Sequence, residues 1–340
     1  MRQRYFSGIQ PTGELHIGNY LGAIKSWIEL QDSFEGIFGI VDYHAITEPY
    51  KPEDMPKRVF DTALDYLAAG LDPNKSILLI QSFVPEHTEM AWLLSSVTPV
   101  SWVERVPTYK EKARQLKTQV NMGLLSYPVL MAADIVLYKS TIVPVGEDQL
   151  PHLELTREIV RSFNSKYRSK YGYKYGSKSG DIFPEPQAYL AGGSRIMSLT
   201  EPMKKMSKSL GAHNYIALAD PPDVIRKKLA KAVTDIGPGG GEMSPGTKNL
   251  FQLMSLFSSK ETCDHFKQLY DEGNIRYSDM KQKLADDIIS DLGPVRDRRL
   301  ALSLRPEYIR KVLIEGSNRA REIARQTLHE AKERMGLTYF

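Results

Sequence analysis

Apolar positions with two different spacings organise this chain. Arg4–Gln10 (RYFSGIQ) reads as a short strand, and Pro11-Thr12-Gly13 breaks it with turn residues. From His16 the spacing changes. Ile17, Tyr20, Leu21, Ile24 and Ile28 share one helical stripe, with Lys25 and Glu29 off it. Gly36–Asp42 (GIFGIVD) has the run of a buried strand. A helix is predicted over Pro52–Ala69, with Gly70 as its C-cap. Ser76–Ser82 (SILLIQS) repeats the strand pattern and precedes a helix over Glu86–Ser96. Thr141–Gly146 (TIVPVG) is a further strand, with a helix starting near Glu147. Strands alternating with helices predict a parallel sheet covered on both faces. Ligands of such sheets sit at the carboxyl ends of strands, here the regions of Gln10, Asp42 and Gly146.

After Ala219 the pattern turns helical. Asp220-Pro221-Pro222-Asp223 opens a basic segment over Val224–Ala232, and Gly237–Gly246 reads as a loop. Helices are predicted over Pro306–Glu315 and Asn318–Met335. The fold class is therefore α/β, with a boundary near Tyr215–Pro222. Residues 1–218 form a Rossmann-like parallel-sheet domain and residues 219–340 an all-helical domain. The last helix is free to pack back on the first domain. Asn164–Gly180 is rich in Lys, Tyr, Ser and Gly and has no period. It reads as an RNA-contacting loop or, more plainly, as an exposed connector. Gly241–Lys248 imitates a P-loop, but its last two residues are in the wrong order and Pro245 interrupts the cradle. A flexible loop is expected there.

Composition narrows the class. At 340 residues the chain has room for two domains and a sizeable core. Hydrophobic content of 41% and charged content of 25% are those of a globular protein. No apolar leader and no run of membrane-spanning length is present, so a cytoplasmic protein without a membrane partner is expected. The single cysteine, Cys263, excludes an internal disulfide and a cysteine-rich zinc site, and reads as a packed thiol. A net charge of +4 permits a nucleic-acid partner without requiring one.

The chemistry concentrates in three places. Lys205-Met206-Ser207-Lys208-Ser209 places two mobile charges among hydroxyls, a set that can close over a polyphosphate. By chance this string arises on the order of once in ten thousand chains of this length. The plain alternative is a basic surface turn. His16-Ile17-Gly18-Asn19 opens a helix directly after a strand and a turn. Free backbone N–H groups and the positive dipole end favour phosphate there. Gly18 lets a nucleotide approach the backbone, and His16 and Asn19 can donate to phosphate oxygens. Thirdly, Asp134 sits in the apolar run Tyr127–Ile135, where a charge is costly without a partner. It is either paired with a protein group or accepts from a buried ligand donor. An indole N–H, which only donates, and a tyrosine hydroxyl both fit.

Together the two phosphate-binding strings resemble the signatures of class I aminoacyl-tRNA synthetases, the His-Ile-Gly-His box in an Asn-ending form and Lys-Met-Ser-Lys-Ser. Phe6–Gly13, Val41–Thr47, Met131–Ile135, Val143–Gln149 and Arg195–Leu199 are similar, in order, to blocks of bacterial tryptophanyl-tRNA synthetases. With the signatures they span residues 5–209, and the helical tail resembles the family more loosely. Tyr43 departs in a variable slot. The chain also lacks the added terminal RNA-binding domain that bacterial tyrosyl enzymes usually carry.

The resemblance implies tryptophan–tRNA ligase chemistry, with ATP and Mg²⁺, L-tryptophan and tRNA(Trp), in a homodimer. It implies that Gln10, Pro11, Thr12, Gly18 and Asn19 line the ATP site, and that His16, Gln10 and Asn19 hold the α-phosphate. Gly146, Glu147 and Asp148 would hold the ribose, and Ile196 and Met206 the adenine. Lys205, Ser207, Lys208 and Ser209 would reach the phosphates, with Lys112 assisting closure. Asp134 would read the indole N–H. Phe6, Gly8, His44, Met131, Val143 and Val145 would wall the indole, and Tyr127 and Gln149 would meet the ammonium group. Plain core packing is the alternative for Met131, Val143 and Val145. No side chain is expected to hold a metal, and one cysteine excludes the iron–sulfur site suggested for some relatives. The rival readings are a tyrosyl enzyme, a paralogue with another acceptor, a small-molecule nucleotidylyltransferase and a non-enzymatic RNA-binding module.

Overall fold

The computed structural model describes residues 2–11, 13–116, 120–168, 180–190, 196–235 and 242–339. Five strands, β1 (Arg4–Ile9), β2 (Glu35–Ile40), β3 (Ile77–Ile80), β4 (Ile142–Val145) and β5 (Gln187–Leu190), form one parallel sheet. Their order is β3-β2-β1-β4-β5. Successive side chains of a strand point to opposite faces. Tyr5, Phe38 and Leu78 therefore enter one core, and Phe6, Ile37 and Leu79 enter the other. Strands apolar on both sides need a helical layer on each.

The helices supply those layers. After β1, α1 (Ile17–Asn19) continues through a π-turn over Tyr20–Ile24 into α2 (Lys25–Leu30). The predicted single stripe from His16 is thus locally underwound. α3 (Asp42–Ala45) is one turn, and α4 (Met55–Ala69) follows a 3₁₀ turn over Pro52–Asp54. Gly70 ends α4 in the left-handed conformation at φ 114°, as its C-cap reading requires. α5 (Glu86–Ser95), α6 (Val100–Glu104), α7 (Pro107–Leu116), α8 (Met122–Val136) and α9 (Leu150–Lys166) complete the first half. α5, α8 and α9 cover the second core. α10 (Pro222–Ala230), α11 (Pro245–Phe257), α12 (Lys260–Asp271), α13 (Tyr277–Ser303) and α14 (Pro306–Arg334) form the helical half. Ile225, Leu250, Leu284 and Leu292 of that half join the first core, so the apolar interior runs unbroken from the sheet into the helices.

Three expectations change. β5 carries no apolar run, since only Ala188 of its four residues is even half-buried, and periodicity passes over it. The two helices predicted over Pro306–Glu315 and Asn318–Met335 are one. Gly316, in the gap between the two predicted ranges, lets α14 lie directly on β3. A Cβ there would overlap the Leu78 carbonyl oxygen. The adjacent Ser317 Oγ accepts from the Ile80 N–H at 3.1 Å. The helix thereby covers the free edge of the sheet, a place otherwise open to aberrant strand pairing. Arg321 and Arg325 to Glu86, and Lys332 to Glu89, hold it there. Finally, the Gly237–Gly246 loop is shorter than expected. Ser244 Oγ accepts from the Thr247 N–H as an N-cap, so Pro245 and Gly246 already belong to α11. Residues 236–241 lie outside the described residues.

The Asn164–Gly180 stretch also begins inside a helix. α9 runs to Lys166, and Asn164 donates to the Phe183 carbonyl at 2.8 Å. Residues 169–179 lie outside the described residues. Among the described residues no helix is long and apolar enough to cross a membrane, and no group of His, Cys, Asp and Glu side chains forms a metal cage.

Candidate active site

β1 and β4 pair at Tyr5 and Ile142, near their amino ends, and among the described residues no further pair follows toward their carboxyl ends. This is also where the strand order reverses, the place where open α/β sheets bind ligands. A cavity of about 310 Å³ fills the gap. Phe6 and Gly8 of β1, Val143 and Val145 of β4, and Met131 and Asp134 of α8 line it. His44, Tyr127 and Gln149 complete the set expected around an amino acid, and Gln10 and Gly146 of the nucleotide set share the same cavity.

Asp134 anchors its floor. The residue is 1% exposed. Its Oδ1 accepts from Gln81 Nε2 at 2.8 Å and meets His87 Nδ1 at 2.6 Å, while Oδ2 meets His44 Nε2 at 2.8 Å. His87 Nε2 in turn lies 2.7 Å from the Tyr138 hydroxyl. Burial alone would raise the carboxyl, but the His87 and His44 partners outweigh it and hold it down at about 2. Asp134 is therefore an ionised acceptor at neutral pH. A carboxylate oxygen accepts two hydrogen bonds, and Oδ2 has one donor among the described residues. The carboxylate is paired with protein groups, as one sequence reading has it, and it also lines the cavity.

Tyr127 forms one side of the mouth. Its hydroxyl lies 2.6 Å from His152 Nε2, which Thr108 Oγ1 also reaches at 2.9 Å. Burial, and then the Lys112 charge, push His152 down to about 4. Lys112 Nζ pairs with Glu48 at 2.5 Å and stands 5.3 Å from the Tyr127 ring centroid. That places Lys112 beside the Tyr127 wall. Gln149 Nε2 donates to Asp148 Oδ2 at 2.9 Å. A Cβ on Gly146 would come 2.7 Å from Asp148 Oδ1, so the glycine lets this carboxylate fold over the turn. Glu147 and Asp148 are exposed.

The His16–Asn19 turn is clamped by the chain that follows the lysine loop. Ile17 N–H donates to Ile216 O at 2.9 Å, and Leu218 N–H to Leu15 O at 2.8 Å. His16 N–H donates to Asn19 Oδ1 at 3.2 Å, which leaves the Asn19 amide nitrogen as its donor group. The His16 ring is buried, and its Nδ1 has no partner among the described residues. Burial, then Lys208 and Lys205, push His16 down to about 4, so it is neutral at pH 7. Gly18 acquires a second reason. A Cβ there would meet His16 Nδ1 at 2.9 Å, so the imidazole itself requires glycine.

The lysine loop packs against the same turn. Met206 is buried and its N–H donates to Ile196 O at 2.9 Å, while Met197 and Lys205 form an antiparallel bridge. Ile196 Cβ lies 3.7 Å from the position of a Cβ on Gly18. The Lys208 side chain comes within 3.8 Å of the same position on Gly13, whose φ is 117°. Burial pushes the Lys208 ammonium down to about 8, against the pull of Asp65 and Glu14. Lys205 is exposed, Ser207 half-buried, and Pro11 buried. Thr12 and Arg195 lie outside the described residues, as does the Ser209 side chain.

Several lining and supporting residues carry no clear sequence signal. Gln81, His87 and Tyr138 support Asp134, and Ser7 and Trp27 line the cavity. Gln81 alone was findable, as the polar residue closing the apolar strand SILLIQ at its carboxyl end.

Known proteins are similar to this chain over nearly its whole length. The profile of the family described as tRNA synthetases class I (W and Y) matches residues 1–292. A tryptophan–tRNA ligase of Caldanaerobacter subterraneus subsp. tengcongensis is 42% identical over 339 residues, 98% of this chain and 98% of the relative. One of Rickettsia bellii is 42% identical over 345 residues, 99% of each chain. The crystal structure of tryptophanyl-tRNA synthetase from Campylobacter jejuni complexed with ADP and tryptophan superposes with a TM-score of 0.83 at 31% identity. That match covers 98% of this chain and 100% of the other. With its sheet, its paired signature turns and its full-length likeness to these relatives, the chain belongs to the class I tRNA synthetases of the tryptophan and tyrosine group, among the tryptophan–tRNA ligases.

Proposed function

We propose that the chain activates L-tryptophan with ATP and transfers the tryptophanyl group to tRNA(Trp), and that Asp134 selects the amino acid. One observation carries the choice of side chain. An ionised, buried carboxylate with room for one more donor lines an apolar cavity, and an indole N–H is a donor that cannot accept. In the first step a tryptophan carboxylate oxygen attacks the α-phosphorus of ATP. The bond to the bridging oxygen breaks, and pyrophosphate leaves with the electron pair. The carboxylate is already ionised at neutral pH, so no general base is needed. Positioning and charge stabilisation then carry the rate.

His16, Gln10 and Asn19 hold the α-phosphate in this reading, and Lys205 and Lys208 stabilise the departing pyrophosphate. A neutral His16 suits a crowded cationic site, since it donates without adding a third positive charge. Mg²⁺ enters with ATP as part of the substrate. In the second step the 2′-hydroxyl of the terminal adenosine attacks the carbonyl carbon of the adenylate. An ester forms and AMP leaves. Residues 219–340 hold the anticodon end of the tRNA, in the cytoplasm.

A homodimer accompanies this reading. Ile46, Phe83, Trp92 and Met122 are all exposed, and Trp92 and Met122 reach 77% and 73%. Asn121 Nδ2 donates to Thr47 O at 3.2 Å, which brings Met122 beside the Ile46 segment. Exposed apolar groups of this kind support such an interface. Acylation of a tRNA(Trp) transcript with labelled tryptophan tests the function. Charging with tryptophan and none with tyrosine is expected, and the reverse would overturn the reading.

A further inference from the structure

Beyond the cavity, one buried carboxylate takes no part in the chemistry described above. Asp65 lies within α4 and is 2% exposed. A charge buried to that degree needs partners, and those of Asp65 come from distant parts of the chain. Its Oδ1 accepts from Arg299 Nε of α13 at 2.6 Å. Its Oδ2 accepts from the backbone N–H of Leu15 at 3.3 Å, one residue before His16. Arg299 also stands 3.9 Å from Asp61, and the neighbouring Arg298 donates to the Ala68 carbonyl at 2.7 Å. Two arginines thus clamp α13 to α4. On its other side Leu15 is held by the Leu218 N–H, just beyond the lysine loop. Asp65 is also the foremost carboxylate drawing on the Lys208 charge.

A buried ion pair is weak evidence for stability, because apolar side chains of similar volume often serve as well. What an apolar pair could not do is accept the Leu15 N–H. We propose that Asp65 is a positioning residue for ATP activation, and that Arg299 makes the seating of the helical half on α4 a condition for the geometry of the Leu15–Asn19 turn. This rests on reading that turn as the α-phosphate site. If α13 withdraws, Asp65 loses its charged donor, and the Leu15 N–H loses a fixed acceptor. Beside the shared apolar core, the helical half is thereby tied to the turn by a charged side chain.

The full-length chain tests this with Arg299→Gln, Arg299→Lys and Asp65→Asn, in tryptophan-dependent ATP–pyrophosphate exchange. Loss of one hydrogen bond to a charged group corresponds to about tenfold at the low end and about 100-fold at the high end, and the low end is expected for a residue that acts through the backbone. Arg299→Gln and Asp65→Asn are expected to raise KM for ATP by about that factor and leave KM for tryptophan within about twofold. Arg299→Lys should restore most of the ATP affinity, and it carries the test alone if the other variants do not fold. A lowered thermal midpoint with both KM values unchanged would reduce the pair to packing and overturn the proposal. No tryptophan-dependent exchange by the unaltered chain would overturn the functional reading itself, and the proposal with it.

Discussion

Replacing Asp134 by Asn changes one atom in size very little and its hydrogen-bonding sense completely. Gln81 and His87 hold Oδ1, and His44 holds Oδ2. An Asn that keeps its oxygen toward Gln81 and His87 presents its NH₂ on the Oδ2 side. An indole N–H arriving there would meet another donor. The lost bond is one to a charged acceptor, worth about 1.5–3 kcal/mol. At about 1.4 kcal/mol per tenfold, tryptophan should bind about 10- to 100-fold more weakly. ATP affinity should stay within about twofold, since among the described residues Asp134 meets none of the His16 turn or the lysine loop by hydrogen bond or ion pair. Equilibrium dialysis with labelled tryptophan measures the loss without relying on fluorescence from the three tryptophans of the chain. A benzothiophene analogue of tryptophan, which lacks the N–H, supplies the second arm. The unaltered protein should bind it more weakly than tryptophan, and Asp134→Asn should lose that preference. Unchanged tryptophan affinity in a folded Asp134→Asn variant would refute the assignment.

Other consequences are as direct. Lys208→Ala should lower the pyrophosphate-exchange rate at least about 100-fold while tryptophan binding stays within about twofold, and an unchanged rate would remove Lys208 from the leaving-group role. Because Lys208 is held at about 8, kcat/KM for ATP should decline near that pH, and Lys208→Arg should move the decline upward. Gly316→Ala should destabilise the fold by about 1–3 kcal/mol through overlap with the Leu78 carbonyl, read as a lower urea midpoint, and an unmoved midpoint would contradict the docking of α14 on β3. His16 and His152 both sit at about 4, below their ordinary 6.5. Between those values the unfolded chain binds more protons than the folded one, so stability is lost as pH falls from 6.5 toward 4. Asp134, held at about 2 against an ordinary 3.8, adds a loss in that lower window. Urea titrations from pH 7 to 4 check the first window, and a flat profile there would contradict the buried neutral histidines.

The sheet was legible where strands are apolar on both faces, because short apolar runs such as GIFGIVD and SILLIQS alternate with segments of helical spacing. β5 was not, since an exposed edge strand of four residues needs no apolar pattern. Gly316 and Ser317 fall in the gap between the two predicted helices, and glycine is locally unfavourable in a helix. The contact that reverses this, with Leu78 and Ile80, is far away in sequence and leaves no local trace. The cavity wall was readable through ordered blocks similar to a known family. Its support was not. His87 of α5 holds Asp134 and is itself held by Tyr138, just past α8, and no spacing rule links His87 to the other two. Gly18 shows the same limit, because its place was visible but its packing against the His16 ring was not.

The central claim is that this cavity activates tryptophan. ATP–pyrophosphate exchange by the purified chain, run with each of the twenty amino acids in turn, tests it most directly. Exchange that depends on tryptophan alone is the predicted result. Exchange driven by tyrosine or another amino acid, or none with any of them, would contradict it.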